Sequence, residues 1–158
     1  MDGATEDTRL RLQITVDRNV AERVTELAAL MKRSQSWLAA ELLAATLADR
    51  KKIVGWVSQR IAMALLSPLN SRVRKSGESV TIQSFVTPET AARIEMMAEE
   101  MHQPVSKTCG WLLENAVNDH GWIIKFVKSE VGGKLFGAIS KVLDHWKKPE
   151  ASTSATAE

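Results

Sequence analysis

Hydrophobic and polar residues alternate strictly in the stretch between Arg9 and Val16. Its apolar residues point to one side, whereas Arg9, Arg11, Gln13 and Thr15 point to the other, and this alternation over eight residues predicts a half-buried β-strand. Arg, Gln and Thr are side chains that read base edges in the major groove of DNA. A solvated strand face would carry the same polar residues, so this stretch alone does not separate the two interpretations.

Two segments with apolar residues at helical spacing follow this strand. Asp17 is a good N-cap residue, and the apolar residues after it recur at spacings of three and four, which predicts a first helix. The polar run 32–36 breaks this helix, and Ser34 can cap a second one. The predicted buried faces of the two helices consist of Val20, Ala21, Val24, Leu27, Ala28 and Met31, and of Leu38, Leu42, Leu43 and Leu47.

The same pattern recurs 70 residues further along the chain. Residues 9–66 align without a gap with residues 79–136 and give 13 identities in 58 pairs, where chance gives roughly three or four. The identical pairs include Gln13 with Gln83 in the strands and Asp49 with Asp119 after the second helices. We therefore interpret the chain as an internal duplication.

The second copy repeats these elements with a change at one helix start. Thr87 followed by Pro88 predicts the beginning of its first helix. Pro104 replaces Ser34, so its second helix is expected to begin at Ser106 or to be capped by Gln103. The predicted buried faces consist of Thr90, Ile94, Met97 and Met101, and of Thr108, Leu112, Leu113 and Val117.

Three residues of the second copy are unusual for their positions. Cys109 stands where the first copy has Ala39, which predicts a small core residue rather than a reactive thiol. Ser84 takes the place of an inward apolar residue. Phe85 stands where a polar residue is expected, and it could tuck inward, stack on a sugar or touch a thymine methyl group.

The order strand, helix, break and helix resembles the ribbon-helix-helix family of DNA-binding proteins, which includes the MetJ- and Arc-like repressors. The motifs that carry this resemblance are Arg11-x-Gln13-x-Thr15, Val16-Asp17, Leu27-Ala28 and Arg33-Ser34-Gln35-Ser36-Trp37-Leu38 in the first copy, and Thr81-x-Gln83-x-Phe85, Thr87-Pro88-Glu89 and Met97-Ala98-Glu99-Glu100 in the second. The resemblance implies that two units pair their strands antiparallel and interlock four helices. Because both units lie on one polypeptide, we expect a single-chain pseudo-dimer, while a pairing swapped between two chains remains open.

The resemblance also implies which residues contact double-stranded DNA. The expected base-reading residues, on the outward strand faces, are Arg9, Arg11, Gln13, Thr15, Thr81, Gln83 and Phe85. The expected phosphate-anchoring residues, at the N-termini of the second helices, are Ser34, Gln35, Ser36, Val105, Ser106 and Lys107. A basic linker with Arg72, Arg74 and Lys75 is expected to add non-specific attraction to DNA.

The predicted fold is mainly α with a small two-stranded antiparallel β-ribbon, as a tandem ribbon-helix-helix pseudo-dimer with extra C-terminal helices in each copy. Extra helices are marked by the apolar stripes Ile53, Val57, Ile61 and Leu65, and Ile123, Val127, Val131 and Leu135. They are expected to extend the core or to bury it against a second chain, with a dedicated partner groove as the alternative. The predicted segments are a disordered acidic N-terminus at 1–8, the first copy with its extra helix at 9–66, a basic linker at 67–78, the second copy with its extra helix at 79–136, a terminal helix at 137–148 and a disordered tail at 149–158.

Charge and composition narrow the classes of function. The chain carries 21 Lys and Arg against 19 Asp and Glu, and five of the acids lie in residues 1–8 and 149–158, which carry no base. The remaining body is basic, which favours a polyanion partner. A lone cysteine, no signal segment and no apolar run of membrane length predict a cytoplasmic protein without a membrane role. The three histidines, His102, His120 and His145, are scattered along the sequence. We therefore expect no metal site, no cofactor and no enzymatic activity.

Three functions are compatible with this sequence. The first is sequence-specific binding of double-stranded DNA, most often by a transcriptional repressor. The second is an antitoxin whose C-terminal helices neutralise a toxin, and the third is a DNA-binding accessory protein of plasmid transfer or segregation. The expected partner is double-stranded DNA, and two further partners stay open: a second copy of the chain on the operator and a protein bound through the extra helices.

Overall fold

The computed structural model describes residues 9–66 and 77–147, which form two strands and seven helices. The strands are β1 (Leu10–Asp17) and β2 (Ser79–Val86). The helices are α1 (Arg18–Leu30), α2 (Gln35–Leu47) and α3 (Arg50–Leu66) after β1, and α4 (Pro88–Met101), α5 (Val105–Asn118), α6 (His120–Glu130) and α7 (Gly133–Lys147) after β2. The fold is therefore mainly α with a two-stranded antiparallel ribbon, as the sequence predicts.

The two strands pair with each other inside this one chain. Gln13 lies directly opposite Gln83, so the centre of the ribbon joins two residues that are 70 positions apart in the sequence. Ile14 pairs with Ile82, and both side chains are buried beneath the ribbon. Since side chains alternate across a strand, these inward residues fix which residues face solvent.

Each strand packs on the second helix of the other half of the chain, so that β1 contacts α5 and β2 contacts α2. Gly110 in α5 approaches β1 so closely that an added Cβ would overlap the carbonyl oxygen of Thr15. On the other side, the fully buried Ser84 donates from Oγ to the carbonyl oxygen of Ser36 at 2.9 Å. This hydrogen bond satisfies a serine that occupies an inward position where an apolar residue is expected.

The turns between the first and second helices are built alike in the two halves. Lys32 (φ 61°) and His102 (φ 56°) both adopt the left-handed conformation and are 70 residues apart. The amide that follows each of them donates back to the carbonyl oxygen of Ala28 or Ala98, at 2.9 and 3.0 Å. Such bonds satisfy carbonyl groups at the end of a helix and turn the chain sharply towards the next one.

The starts of the two second helices differ. Ser34 accepts from the amide of Trp37 at 3.0 Å and caps α2 in the expected way. Pro104 is the N-cap of α5 and makes no side-chain cap bond. The expected start at Ser106 is wrong by one residue, and Gln103 is not the cap, because the restricted φ of proline (here −62°) suits the extended N-cap conformation.

The core lies between the ribbon and the helices α1, α2, α4 and α5. The predicted buried stripes of α1, α2 and α5 are all buried, whereas Thr90 and Met101 near the ends of α4 are only partly buried. Cys109 is fully buried, and the loss of solvation raises the pKa of its thiol to about 12. The thiol therefore stays protonated at neutral pH, which agrees with a core role.

The extra helices are covered to different extents. Helix α7 packs on α6, with Ile139 and Leu143 fully buried, and it reaches α1, where Trp146 donates from Nε1 to Glu26 at 3.2 Å. On α3, by contrast, Ile61 belongs to the predicted apolar stripe but is 60% exposed. Within the described residues, no helix covers α3 in the way that α7 covers α6.

Candidate nucleic-acid interface

The seven residues predicted to read bases lie together on the outward side of the ribbon or at its edge. Six of them are exposed and Thr15 is half-buried. The set consists of Arg9, Arg11, Gln13, Thr15, Thr81, Gln83 and Phe85. Their inward neighbours are largely buried, so the face is held in place by the packing of the ribbon on the helices.

Cross-strand pairing shows that the two ends of this face carry different side chains. At its centre the amide side chains of Gln13 and Gln83 lie opposite each other. Arg11 pairs with Phe85 towards one end, and two threonines pair at the other. The surface therefore runs from an Arg and Phe end, through a pair of glutamines, to an end with two hydroxyl groups, and its two arginines lie at the first end.

Phe85 lies on the solvent side of the ribbon. Its side chain is 46% exposed, so the expectation that it could tuck inward is wrong, because the inward positions of β2 belong to the alternating residues on either side. Arg9 donates from Nη1 to the carbonyl oxygen of Phe85 at 3.0 Å. Leu10, which precedes Arg11, is also 47% exposed. This end of the ribbon thus combines two guanidinium groups with exposed apolar surface.

The N-terminus of α2 carries the first set of expected phosphate anchors, and their side chains are also tied into the fold. Ser34 caps the helix, and Gln35 donates from Nε2 to Thr25 Oγ1 in α1 at 2.6 Å. Ser36 accepts the hydrogen bond from Ser84 through its backbone carbonyl. These bonds fix the helix end relative to the ribbon, and such an end attracts anions through its free amides and partial positive charge.

Arg33 and Trp37 form a contact at this helix end that the sequence did not predict. The guanidinium carbon of Arg33 lies 4.6 Å from the centre of the Trp37 ring. A cation–π contact of this kind contributes about 0.5–1 kcal/mol at an exposed site. Residues four apart on a helix often contact each other, so the spacing of Arg33 and Trp37 indicated a contact. Because Arg33 precedes the helix start, the spacing alone did not establish it.

The N-terminus of α5 carries the second expected set, which has different chemistry. Val105 and Ser106 are half-buried, and Lys107 is exposed. Pro104 caps this helix without a side-chain hydrogen bond. Lys107 is the charged member of this set, so the two helix ends present an unequal pair of surfaces. The expected linker residues Arg72, Arg74 and Lys75 lie outside the described residues.

Two aspartates 70 residues apart join the halves of the chain reciprocally. Asp119 accepts from Trp56 Nε1 at 3.0 Å, and Asp49 accepts from Trp122 Nε1 at 3.2 Å. Asp119 also accepts from the amide of Trp122 at 3.1 Å, and Asp49 from the amide of Lys52 at 3.3 Å. Each carboxylate therefore caps the extra helix of its own half and binds an indole from the other half.

The environment of Asp119 favours its ionised form. Burial opposes ionisation, but the hydrogen bonds from Trp56 and from the amide of Trp122 outweigh it, together with the hydrogen bond and charge of Lys52 at 3.1 Å. The pKa of Asp119 is therefore lowered from its ordinary value of 3.8. A carboxylate bound by a cation and two N–H donors is a strong link between the two halves.

The part of the chain that the structure describes contains no cluster of three or more His, Cys, Asp or Glu that could hold a metal ion. Of the three histidines, His120 pairs with Asp144 of α7 at 3.2 Å. None of the helices in the described ranges is long and apolar enough to cross a membrane.

β-Ribbon DNA-binding proteins place a two-stranded ribbon in a groove of DNA, and this chain exposes such a ribbon on a helical body. Residues 11–46 of the chain match the family model described as ribbon-helix-helix protein, copG family. This match spans most of β1, all of α1 and nearly all of α2, and it supports a DNA-binding ribbon-helix-helix regulator in general terms. No curated protein and no solved structure matches the chain.

Proposed function

We propose that this protein binds double-stranded DNA in a sequence-specific manner by placing the β1–β2 ribbon in the major groove, and that it acts as a transcriptional repressor. The observation that carries the proposal is the exposed ribbon face on which Gln13 and Gln83 lie opposite each other. The major groove admits a two-stranded ribbon, and glutamine can bind adenine there through N6 and N7. Arg11 would read a guanine at the end of the ribbon where it lies.

We further propose that the two halves of the chain are tandem ribbon-helix-helix copies that form a pseudo-dimer. The family match covers only the first half, so the support for the second comes from the fold. Strand β2 and helices α4 and α5 follow one another as β1, α1 and α2 do, about 70 residues later. The left-handed turns at Lys32 and His102 and the helix caps of Asp49 and Asp119 have the same 70-residue offset. One chain would then supply the two strands that other members take from two chains.

Phosphate contacts would position the ribbon in the groove. We assign them to the helix starts at Ser34, Gln35 and Ser36 and at Val105, Ser106 and Lys107, because helix N-termini bind anions. Arg72, Arg74 and Lys75 would add attraction that does not depend on DNA sequence.

Packing of the extra helices supports a repressor over an antitoxin. The resemblance to the family implies that antitoxins bind their toxins through arms that are usually disordered, whereas α6 and α7 bury Trp122, Ile123, Ile139 and Leu143 in the body of this protein. An accessory role in plasmid transfer or segregation requires the same DNA interface. Isolation of the protein with its native partners distinguishes these functions. A toxin bound in stoichiometric amount would support the antitoxin function, and bound relaxase or partition proteins would support the accessory role; either result would refute the repressor proposal.

The decisive experiment is selection of bound duplexes from a random DNA library with the full-length chain. We expect one short site to be enriched, and the double variant Gln13→Ala with Gln83→Ala to lose that enrichment. Gln59→Ala is the matched control, because Gln59 is an exposed glutamine on α3 and should leave the selected site unchanged. No enriched site, or the same site with the ribbon variant, would refute reading by the ribbon. A reporter gene carrying the selected site at its promoter then tests repression.

A further inference from the structure

Phe85 is an aromatic residue in the outward row of β2, beside the polar residues Thr81 and Gln83. All three are exposed, and Phe85 has 46% of its surface open to solvent. Single exposed apolar residues are ordinary on protein surfaces. This one, however, lies within the face that we propose enters the major groove, where its ring would be removed from water. The ring must then be covered by a group of the DNA.

The position of Phe85 in the ribbon limits which base it can reach. Phe85 lies directly opposite Arg11, and Arg9 donates from Nη1 to the Phe85 carbonyl oxygen at 3.0 Å. The Cβ atoms of paired residues are about 4.5–5.5 Å apart, whereas successive base pairs are about 3.4 Å apart. When Arg11 binds a guanine, the ring of Phe85 is therefore within about two base pairs of it.

The chemistry of the groove identifies the group that a phenyl ring can contact. The C5-methyl group of thymine is an apolar group on a base edge in the major groove. The edges of the other bases present hydrogen-bond donors and acceptors there, and a ring that covers them leaves them without partners, which costs free energy. An aromatic side chain at this position therefore favours thymine.

We propose that Phe85 contacts the C5-methyl group of a thymine within about two base pairs of the guanine that Arg11 reads. The proposal rests on the DNA binding proposed above and adds a specificity-determining contact to it. The Arg and Phe end of the ribbon then reads two neighbouring bases, one through hydrogen bonds and one through apolar contact. A contact of the ring with a deoxyribose is the alternative, and it would not depend on the methyl group of a base.

The test replaces single thymines of the selected duplex by deoxyuridine, which removes the methyl group and keeps every hydrogen-bonding atom. The library selection with Arg11→Ala locates the guanine, and titrations with the full-length chain measure Kd for each duplex. At one thymine within about two base pairs of that guanine, the replacement should weaken wild-type binding about fourfold, the value for burying one methyl-sized group. Phe85→Ala should bind the thymine and deoxyuridine duplexes equally.

Leu10→Ala is the matched control for Phe85→Ala. Leu10 is 47% exposed at the same end of the ribbon but belongs to the inward row of β1, so this variant should keep the fourfold difference of wild type. Circular dichroism checks that both variants keep the fold.

The outcomes separate this proposal from DNA binding itself. Equal binding of both duplexes by wild type, a difference that persists in Phe85→Ala, or a difference that Leu10→Ala also removes would overturn the methyl contact while DNA binding stands. A selected site without a thymine in this range would do the same. If wild type ignores the methyl group but Phe85→Ala binds both duplexes more weakly, the ring contacts the sugar instead. If no site is selected, both proposals fail.

Discussion

Trp56 donates its indole N–H to the carboxylate of Asp119 at 3.0 Å, across the boundary between the two halves of the chain. The same carboxylate caps α6 by accepting from the amide of Trp122 and binds Lys52. One side chain therefore fixes the start of a helix and its contact with the other half. The ribbon joins the same two halves, because each of its strands comes from a different half.

Replacing Asp119 by Asn should destabilise the fold by about 1–3 kcal/mol. The oxygen of Asn can still cap α6, but its NH2 group cannot accept the hydrogen bonds from Trp56 and Lys52, and the negative charge is lost. Trp56→Phe should remove the indole donor while keeping most of the apolar surface. If the Trp56 indole and the Asp119 carboxylate act through their hydrogen bond, Trp56→Phe should lower the free energy of unfolding clearly less in the Asp119→Asn variant than in wild type. Denaturant unfolding of the four proteins measures this coupling, and strictly additive costs would contradict it.

The lowered pKa of Asp119 predicts a loss of stability in acid. Because the folded carboxyl group releases its proton more readily than in the unfolded chain, where its ordinary value is 3.8, ionisation stabilises the fold. This contribution is fully present above about pH 5 and is lost as the pH falls through the folded-state pKa. The stability difference between wild type and Asp119→Asn should therefore shrink in acid. A constant difference would show that other groups govern acid unfolding.

The ribbon could be predicted from the sequence, but the bonds between the two aspartates and the indoles of the other half could not. Strict alternation at Arg11, Gln13 and Thr15 depends only on neighbours along the strand, and the structure places these residues on the solvent side. The bonds of Asp49 and Asp119 to distant indoles depend on which helices pack together, and a 70-residue offset in the sequence does not show which residues are in contact. The DNA contacts of the outward face remain predictions.

The exposure of Ile61 also could not be predicted from the sequence. Helical periodicity marks Ile53, Val57 and Ile61 as one apolar stripe, but periodicity does not show whether a second helix is available to cover it. In the related stripe, Ile123 and Val127 are buried, because α7 follows α6 and packs on it. The local sequence pattern therefore predicted the helix, whereas its burial depends on whether another helix packs against it.

Gly110 should be required for the contact between α5 and β1. Alanine at this position would place its Cβ against the carbonyl oxygen of Thr15, and separating the elements should cost about 1–3 kcal/mol. Gly137→Ala is the matched control, because that glycine lies in α7 with open space around it and alanine should gain about 0.5–1 kcal/mol. Thermal unfolding of both variants tests this, and a stable Gly110→Ala protein would contradict the close approach.

Lys107 should contribute one phosphate contact when DNA is bound. Lys107→Ala should weaken binding to selected and unrelated duplexes alike and reduce the slope of log affinity against log salt by about one. Lys125→Ala removes an exposed lysine on α6 and should leave the slope unchanged. Titrations of labelled duplexes at several salt concentrations provide the measurement. An unchanged slope for Lys107→Ala would show that the start of α5 does not contact DNA.

The ribbon should read a non-palindromic site, because its outward face has different ends. Arg11 pairs with Phe85 at one end, whereas the corresponding end carries Thr15 and Thr81. Arg11→Ala should therefore cost about 1–3 kcal/mol and relax the preference at one base pair on one flank only. Gln13→Ala and Gln83→Ala should relax neighbouring positions on opposite flanks, because these residues are related by the approximate two-fold axis of the ribbon. Selection from a random library with each variant provides the measurement. A perfect palindrome within the span of one ribbon would mean that, on DNA, β1 pairs with β1 of a second chain instead of with β2.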